Sequence, residues 1–171
     1  MSLITVSRML CIALLAGTHA LYAKDTVNIS VTGNLIKPPC TYSASTTLNV
    51  SMGSVTYDKY DTATGRIPLV LTCPPGSAVQ VTVRPGTGTS LASGSTTTAV
   101  TSYRNLGIEL WWSGAQALAG GQAQRVSLTG NKSFTDLSGQ VDLSITPKLI
   151  KLADLGVSAF SASFTIELSY D

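Results

Sequence analysis

Three cysteines, one histidine and nine carboxylates are the groups that could do chemistry in this 171-residue chain. Cysteines can pair, ligate a soft metal or attack an electrophile, and a serine or cysteine nucleophile usually recruits a histidine base. Cys11 and His19 both fall within the first 23 residues, where Arg8 precedes an apolar run from Met9 to Ala16 and then the small residues Gly17, Thr18, Ala20 and Ala23. A basic residue, a short apolar run and small residues at a cut site form a secretory signal peptide. The run is far below the roughly 20 apolar residues that span a bilayer. Cleavage is expected after Ala23, with Ala20 as the alternative, so residues 1–23 are read as a leader. The exported chain then keeps no imidazole and two cysteines. An even pair in an oxidising compartment predicts a Cys40–Cys73 disulfide, the alternative being two free buried thiols. With the imidazole gone and the thiols paired, the expectation is a protein that is not an enzyme and carries no cofactor or metal.

The remaining polar motifs are weaker. Asp58 and Asp61 form the closest internal acidic pair, on a polar stretch where carboxylates serve as solvated turn formers. Pro85-Gly86-Thr87-Gly88-Thr89 is glycine-rich but lacks the strand–loop–helix setting of a phosphate cradle. Asn28, Asn49 and Asn131 head Asn-x-Ser sequons, which chance supplies in a chain with 22 Thr and 21 Ser. Trp111 and Trp112 are adjacent in a strand pattern, so one should face the core and the other an interface or rim. Charged residues are only 12% and the formal net charge is +2, which excludes the clustered basic face needed for nucleic acid.

Ser, Thr, 15 Gly and 7 Pro in an otherwise apolar chain predict many short strands joined by turns. Period-two alternation places Val27, Ile29, Val31, Gly33 and Leu35 on one side of a first strand and Asn28, Ser30, Thr32 and Asn34 on the other. Leu48, Val50 and Met52 alternate again. Ile67 to Cys73 reads as a strand stopped by Pro74-Pro75-Gly76, followed by a separate strand with Val79, Val81 and Val83 on one face. Pro85 to Thr98 reads as a long loop, and Leu106 to Trp112 as a strand with Ile108, Leu110 and Trp112 on one side. Val126 to Leu128 and Val141 to Ile145 are further candidates, and Pro147 to Gly156 reads as a helical turn or loop. The last stretch alternates Phe160, Ala162, Phe164, Ile166, Leu168 and Tyr170 with small or polar residues. No helical periodicity is sustained and no linker divides the mature chain, so a single all-β sandwich or barrel is expected. The two ends are unusual. The first strand stands apart before Pro38-Pro39-Cys40, and the last has an apolar face of six with nothing after it to cover it. An open apolar groove and a spare amphipathic strand suggest strand addition between chains.

These features resemble subunits of chaperone–usher fimbriae. The resemblance lies in the signal peptide, the segment Val27 to Leu35, Pro38-Pro39-Cys40-Thr41, the second cysteine in Leu69-Val-Leu-Thr-Cys73, Asn105-Leu-Gly-Ile108, and the ending Phe160 to Asp171 with its penultimate Tyr170. The wording around Gly33 to Thr41 is most like minor, adaptor subunits of P-type or type 1 pili. One position departs: two residues before Phe160, where such subunits often carry glycine, stands Ser158, with Gly156 nearby. The resemblance implies an incomplete immunoglobulin-like β-sandwich of six strands, missing the last, with residues 24–37 as an N-terminal donor-strand extension and 38–171 as the pilin domain. It implies three kinds of partner: a periplasmic chaperone, an outer-membrane usher and neighbouring subunits, with no membrane insertion. Val27, Ile29, Val31, Gly33 and Leu35 would form the donor face. Phe160, Ala162, Phe164, Ile166, Leu168 and Tyr170 would line this subunit's groove, and the carboxylate of Asp171 would meet the chaperone. The implied role is a structural adaptor supporting adhesion at the cell surface. The alternatives are the major rod subunit or, in a different class, a small outer-membrane β-barrel.

Overall fold

The computed structural model describes residues 30, 32, 38–43, 46–56, 58–63 and 65–170. The chain divides into two compact units, Met1–Leu35 and Ile36–Asp171, and the architecture below is that of the second.

Among the described residues nine strand segments make it nearly all-β: β1 (Thr41–Tyr42), β2 (Val70–Pro85), β3 (Ser90–Leu91), β4 (Thr98–Val100), β5 (Leu106–Trp112), β6 (Gln124–Arg125), β7 (Asn131–Asp142), β8 (Ile145–Lys151) and β9 (Phe164–Tyr170). All pairings are antiparallel. In one sheet β2 is central, with β7 along one side and β1 and β9 on its two halves, Thr41↔Thr72 for the first and Val79↔Tyr170 to Pro85↔Phe164 for the second. In the other, β8 pairs with the whole of β5, while β4 and β6 take the two halves of its opposite edge and β3 extends β4. Alternation then decides the core. Val79, Val81 and Val83 of β2 are each 1% exposed and Leu110 and Trp112 of β5 no more than 2%. The Trp112 ring meets Phe134 edge-on at 5.4 Å, a favoured aromatic geometry.

Prolines explain two departures from the sequence expectation. Pro74-Pro75-Gly76 does not end a strand. It sits inside β2, where the register against β7 slips between Cys73 and Ser77, and the Ser77 hydroxyl closes the irregularity on the Pro74 carbonyl at 2.7 Å. Proline needs only an unpaired edge or a bulge, and this stretch provides the bulge. Pro147 likewise belongs to a strand rather than a helical turn or loop. It pairs in register with Leu110, and β8 has no other partner strand among the described residues, so the missing N–H is tolerated. Val126 and Leu128, read as a candidate strand, are buried but lie outside one; their N–H groups bond the carbonyls of Leu110 and Thr96, each at 2.7 Å. The polar stretch Asn131–Asp142 is the strand instead. The region read as a loop after Pro85 holds β3, and Leu48 to Met52 forms no ladder.

The β7–β8 corner is held by side chains. The wholly buried Ser144 hydroxyl donates to the Asp142 carboxylate and accepts from the Leu69 N–H at 3.2 Å. Burial pushes the Asp142 carboxyl up. Hydrogen bonds from the Ser144 hydroxyl and N–H, with the Arg66 guanidinium 2.7 Å away, offset this and hold it below its ordinary value. Gly114 docks against this corner, donating to the Ser144 carbonyl at 2.9 Å. A methyl group at Gly114 would overlap the backbone of Asp142 and Ser144, neither of which is a flexible side chain. Gly114→Ala is therefore expected to cost about 1–3 kcal/mol. Thermal unfolding of the groove-filled subunit measures it, and an unchanged Tm would mean that the turn moves aside freely.

Candidate functional site

The site is a groove left by incomplete coverage of the core. β9 pairs on one edge with β2 and has no partner on the other among the described residues. Its outward residues Thr165, Glu167 and Ser169 are exposed, yet Phe164, Ile166, Leu168 and Tyr170 are only half-buried. The β2 valines on the same side are essentially inaccessible, so the apolar face of β9 lacks a covering layer. An open groove of about 1210 Å³ runs along it. One wall carries Phe160, Ala162, Phe164, Ile166 and Leu168; the other is residues 46–55, including Leu48, Val50, Met52 and Val55. The floor reaches the buried core residues Leu69, Ile108 and Leu110, with Pro147 beside them. Val50 and Pro147 both crowd Gly65, which seats the 46–55 wall next to β8, whose first residue, Ile145, is bridged to Ile67 on that side. No Asp, Glu, Lys, Arg or His lines the groove among the described residues. It can therefore take an extended, uncharged, amphipathic segment, with the unpaired edge of β9 available for backbone pairing.

The approach to β9 is fixed by hydroxyls. The Ser161 N–H donates to the Ser102 hydroxyl at 2.9 Å and the Ser163 N–H to the Thr89 hydroxyl at 2.8 Å. The Ser163 carbonyl accepts from the Gly86 N–H at 2.7 Å. These short polar residues let Phe160 to Ser163 run along the groove without belonging to a ladder, so the strand begins at Phe164 rather than Phe160. Burial raises the Tyr170 phenol above its ordinary pKa.

The opposite wall hangs from the disulfide. Cys40 and Cys73 are bonded across a sequence separation of 33 residues, just before β1 and within β2. β1 has only two registered pairs with β2, Thr41↔Thr72 and Tyr42↔Leu71, so the covalent link is its main tether, and residues 46–55 follow directly.

The structure thus brings Phe160, Ala162, Phe164, Ile166 and Leu168 together on one wall, with Tyr170 at the end of the same strand. Val27, Ile29, Val31, Gly33, Leu35 and Asp171 lie outside the described residues. Sequence reasoning missed the other wall and the floor. The alternation of Leu48, Val50 and Met52 is the signal that could have located the wall, since apolar residues at that spacing need only an apolar neighbour. Of the two tryptophans, Trp112 is the buried one. Trp111 is half-buried between Lys148 and Arg125, at 4.4 and 5.2 Å from its ring centre. No helix among the described residues is long and apolar enough to cross a membrane.

Two solved structures share this architecture. A chain of a chaperone–usher pilus, whose structure addresses rod uncoiling, matches with a TM-score of 0.60 and 15% identity, covering 86% of this chain and 97% of that one. The P pilus rod subunit PapA matches with a TM-score of 0.54 and 17% identity, covering 78% of this chain and 100% of that one. No curated protein is significantly similar to the chain. The family model described as "Fimbrial protein" matches residues 29–171. The chain therefore belongs to the fimbrial protein family and has the immunoglobulin-like fold of pilus subunits, with one side of its sandwich left open.

Proposed function

We propose that the chain is a structural subunit of a chaperone–usher pilus, in the minor, adaptor position, that joins its neighbours by donor-strand exchange. Its groove receives a strand first from a periplasmic chaperone and then, at an outer-membrane usher, from the N-terminal segment of the next subunit. Its own residues 24–37 fill the groove of the preceding one. Export runs through the periplasm to the cell surface, where the fibre supports adhesion. The observation that carries this reading is the uncharged groove along β9, whose edge away from β2 is unpaired among the described residues and whose apolar face is only half-covered. A major rod subunit would use the same mechanism and differs in copy number; the adaptor reading expects few copies per fibre by immunogold labelling.

An unfilled groove is costly. Five half-covered large side chains (Phe160, Phe164, Ile166, Leu168 and Tyr170), at about 1 kcal/mol each for the uncovered half, approach the 5–15 kcal/mol net stability of a domain. The subunit exported alone is expected to aggregate or be degraded, and co-expression of a cognate chaperone to restore a soluble complex. A soluble monomer that unfolds cooperatively with high stability and no partner would overturn the strand-acceptor reading.

A further inference from the structure

β7 and β9 are the long outer strands of the sheet built on β2, and each leaves one edge without a partner strand among the described residues. A free edge is a template for pairing with another chain. Only β9 lies along the groove; no β7 residue lines it. The β7 edge is closed by three separate features.

The first is at its C-terminal end. The Leu143 N–H turns toward β2 and donates to the Leu69 carbonyl at 2.8 Å, so the N–H and C=O of Asp142 point the other way, out of the sheet edge. Gln116 takes both. The Asp142 N–H donates to its side-chain carbonyl at 2.8 Å, and the Asp142 carbonyl accepts from its backbone N–H at 3.2 Å. One residue of the turn after β5 thus occupies the groups that an incoming strand would use. The second is at the N-terminal end. Lys132 stands opposite Val81, which is 1% exposed, so the two side chains share the core-facing side of the sheet. The Lys132 ammonium reaches past Trp112 and Phe134, 5.4 and 5.3 Å from their ring centres, to the Ala117 carbonyl at 3.1 Å in the same turn. No carboxylate pairs with it among the described residues. A strand laid along β7 here would bury an unpaired ammonium. Between the two ends the strand is irregular. Phe134 and Leu137 stand opposite Val79 and Ser77, one residue more on β7 than on β2, and Asp136 has a φ of 57°. Such a bulge bends an edge away from a regular partner.

We propose that Gln116 and Lys132 are specificity-determining residues of strand acceptance: they bar the edge of β7, so that an incoming strand, whether a donor segment or β7 of a second copy, finds only the edge of β9. The proposal rests on the donor-strand reading above for what the open edge receives. A fibre whose subunits add strands by their edges needs this asymmetry, because a second receptive edge would join subunits side by side instead of end to end.

The test is sedimentation velocity of the full exported chain bound to a cognate chaperone, which occupies the groove and leaves β7 as the edge under study. The parent is expected to remain a one-to-one complex. The double variant Gln116→Ala, Lys132→Val is expected to self-associate about tenfold or more tightly than the parent, the scale of one or two net hydrogen bonds gained. Hydrogen exchange should slow along residues 131–142 in the associated form. Gln116→Ala alone, at an exposed position, should show a several-fold gain and decides the test if the double variant fails to fold. Lys132→Arg, which keeps the charge, should behave as the parent. No gain in association, or a gain accompanied by faster exchange along 131–142, would overturn the proposal, the second because it marks a loosened turn rather than a newly paired edge. A peptide of residues 24–37 added to the parent complex forms the separate arm. Failure to displace the chaperone would overturn the donor-strand reading and the role of β9 with it, whereas displacement without any gain in association by the variants would overturn this proposal alone.

Discussion

Replacing both Cys40 and Cys73 by alanine is expected to lower the stability of the groove-filled subunit by about 3–4 kcal/mol in the chain-entropy model, because the bridge closes a loop of 33 residues. With a urea slope of about 1–3 kcal/mol/M for a domain of this size, the unfolding midpoint should fall by on the order of 2 M. The loss should not be spread evenly. β1 has two registered pairs with β2 and no other partner strand among the described residues, and the wall at residues 46–55 is the next described stretch along the chain beyond Ser43. Hydrogen exchange should therefore accelerate first at 41–55, while the β5–β8 ladder, which shares no link with the bridge, should hold until global unfolding. Strand acceptance should fall with it, since one side of the groove is no longer tethered. A midpoint within error of the parent, or loss of protection in β5 and β8 before residues 41–55, would show that the bridge is not what holds this wall.

The elements that sequence made legible are those whose large apolar side chains fall on one face at every second position. Val79, Val81 and Val83, Ile108, Leu110 and Trp112, and the run from Phe164 to Tyr170 all alternate because one sheet face meets the core. The disulfide was legible because the cysteines outside the expected leader, Cys40 and Cys73, are an even pair. The misread segments share a physical cause. Pro74-Pro75-Gly76 and Pro147 act as breakers only where a ladder needs their N–H, and a bulge and an edge do not. Asn131–Asp142 is polar because β7 is an edge strand with most of its residues exposed, so it carries no alternating signal. Leu48 to Met52 alternates like a strand but has no strand beside it. The groove floor was invisible for a different reason: Leu69, Ile108 and Leu110 read as ordinary core residues, and only the missing layer above them makes them part of a site.

Ile29→Asp in the N-terminal segment is expected to block docking into an acceptor groove, whereas Ser30→Asp leaves it nearly unchanged. Period two puts Val27, Ile29, Val31 and Leu35 on one face and Ser30 on the other. If the acceptor resembles the groove in this subunit, it offers no cation to a buried carboxylate, since its described lining has no charged residue. An unpaired buried charge costs several kcal/mol, and each 1.4 kcal/mol is about tenfold in affinity. Exchange by the Ile29→Asp peptide should thus fall by about a hundredfold or more, and by the Ser30→Asp peptide by less than about threefold. Gly33 interrupts the apolar row, which suits a place where backbones approach closely, so Gly33→Leu should also slow exchange. The measurement uses a chaperone-bound acceptor subunit mixed with peptides spanning Lys24 to Lys37, following chaperone displacement. The full-length Ile29→Asp subunit supplies the second arm. It should still form the Cys40–Cys73 bridge and bind its chaperone, because a donor strand contributes nothing to the core of its own domain. Equal exchange by the two aspartate peptides would refute the two-faced donor. Unfolding of the full-length variant would instead place residues 27–35 in their own domain's core, making this a closed sandwich rather than a link in a fibre.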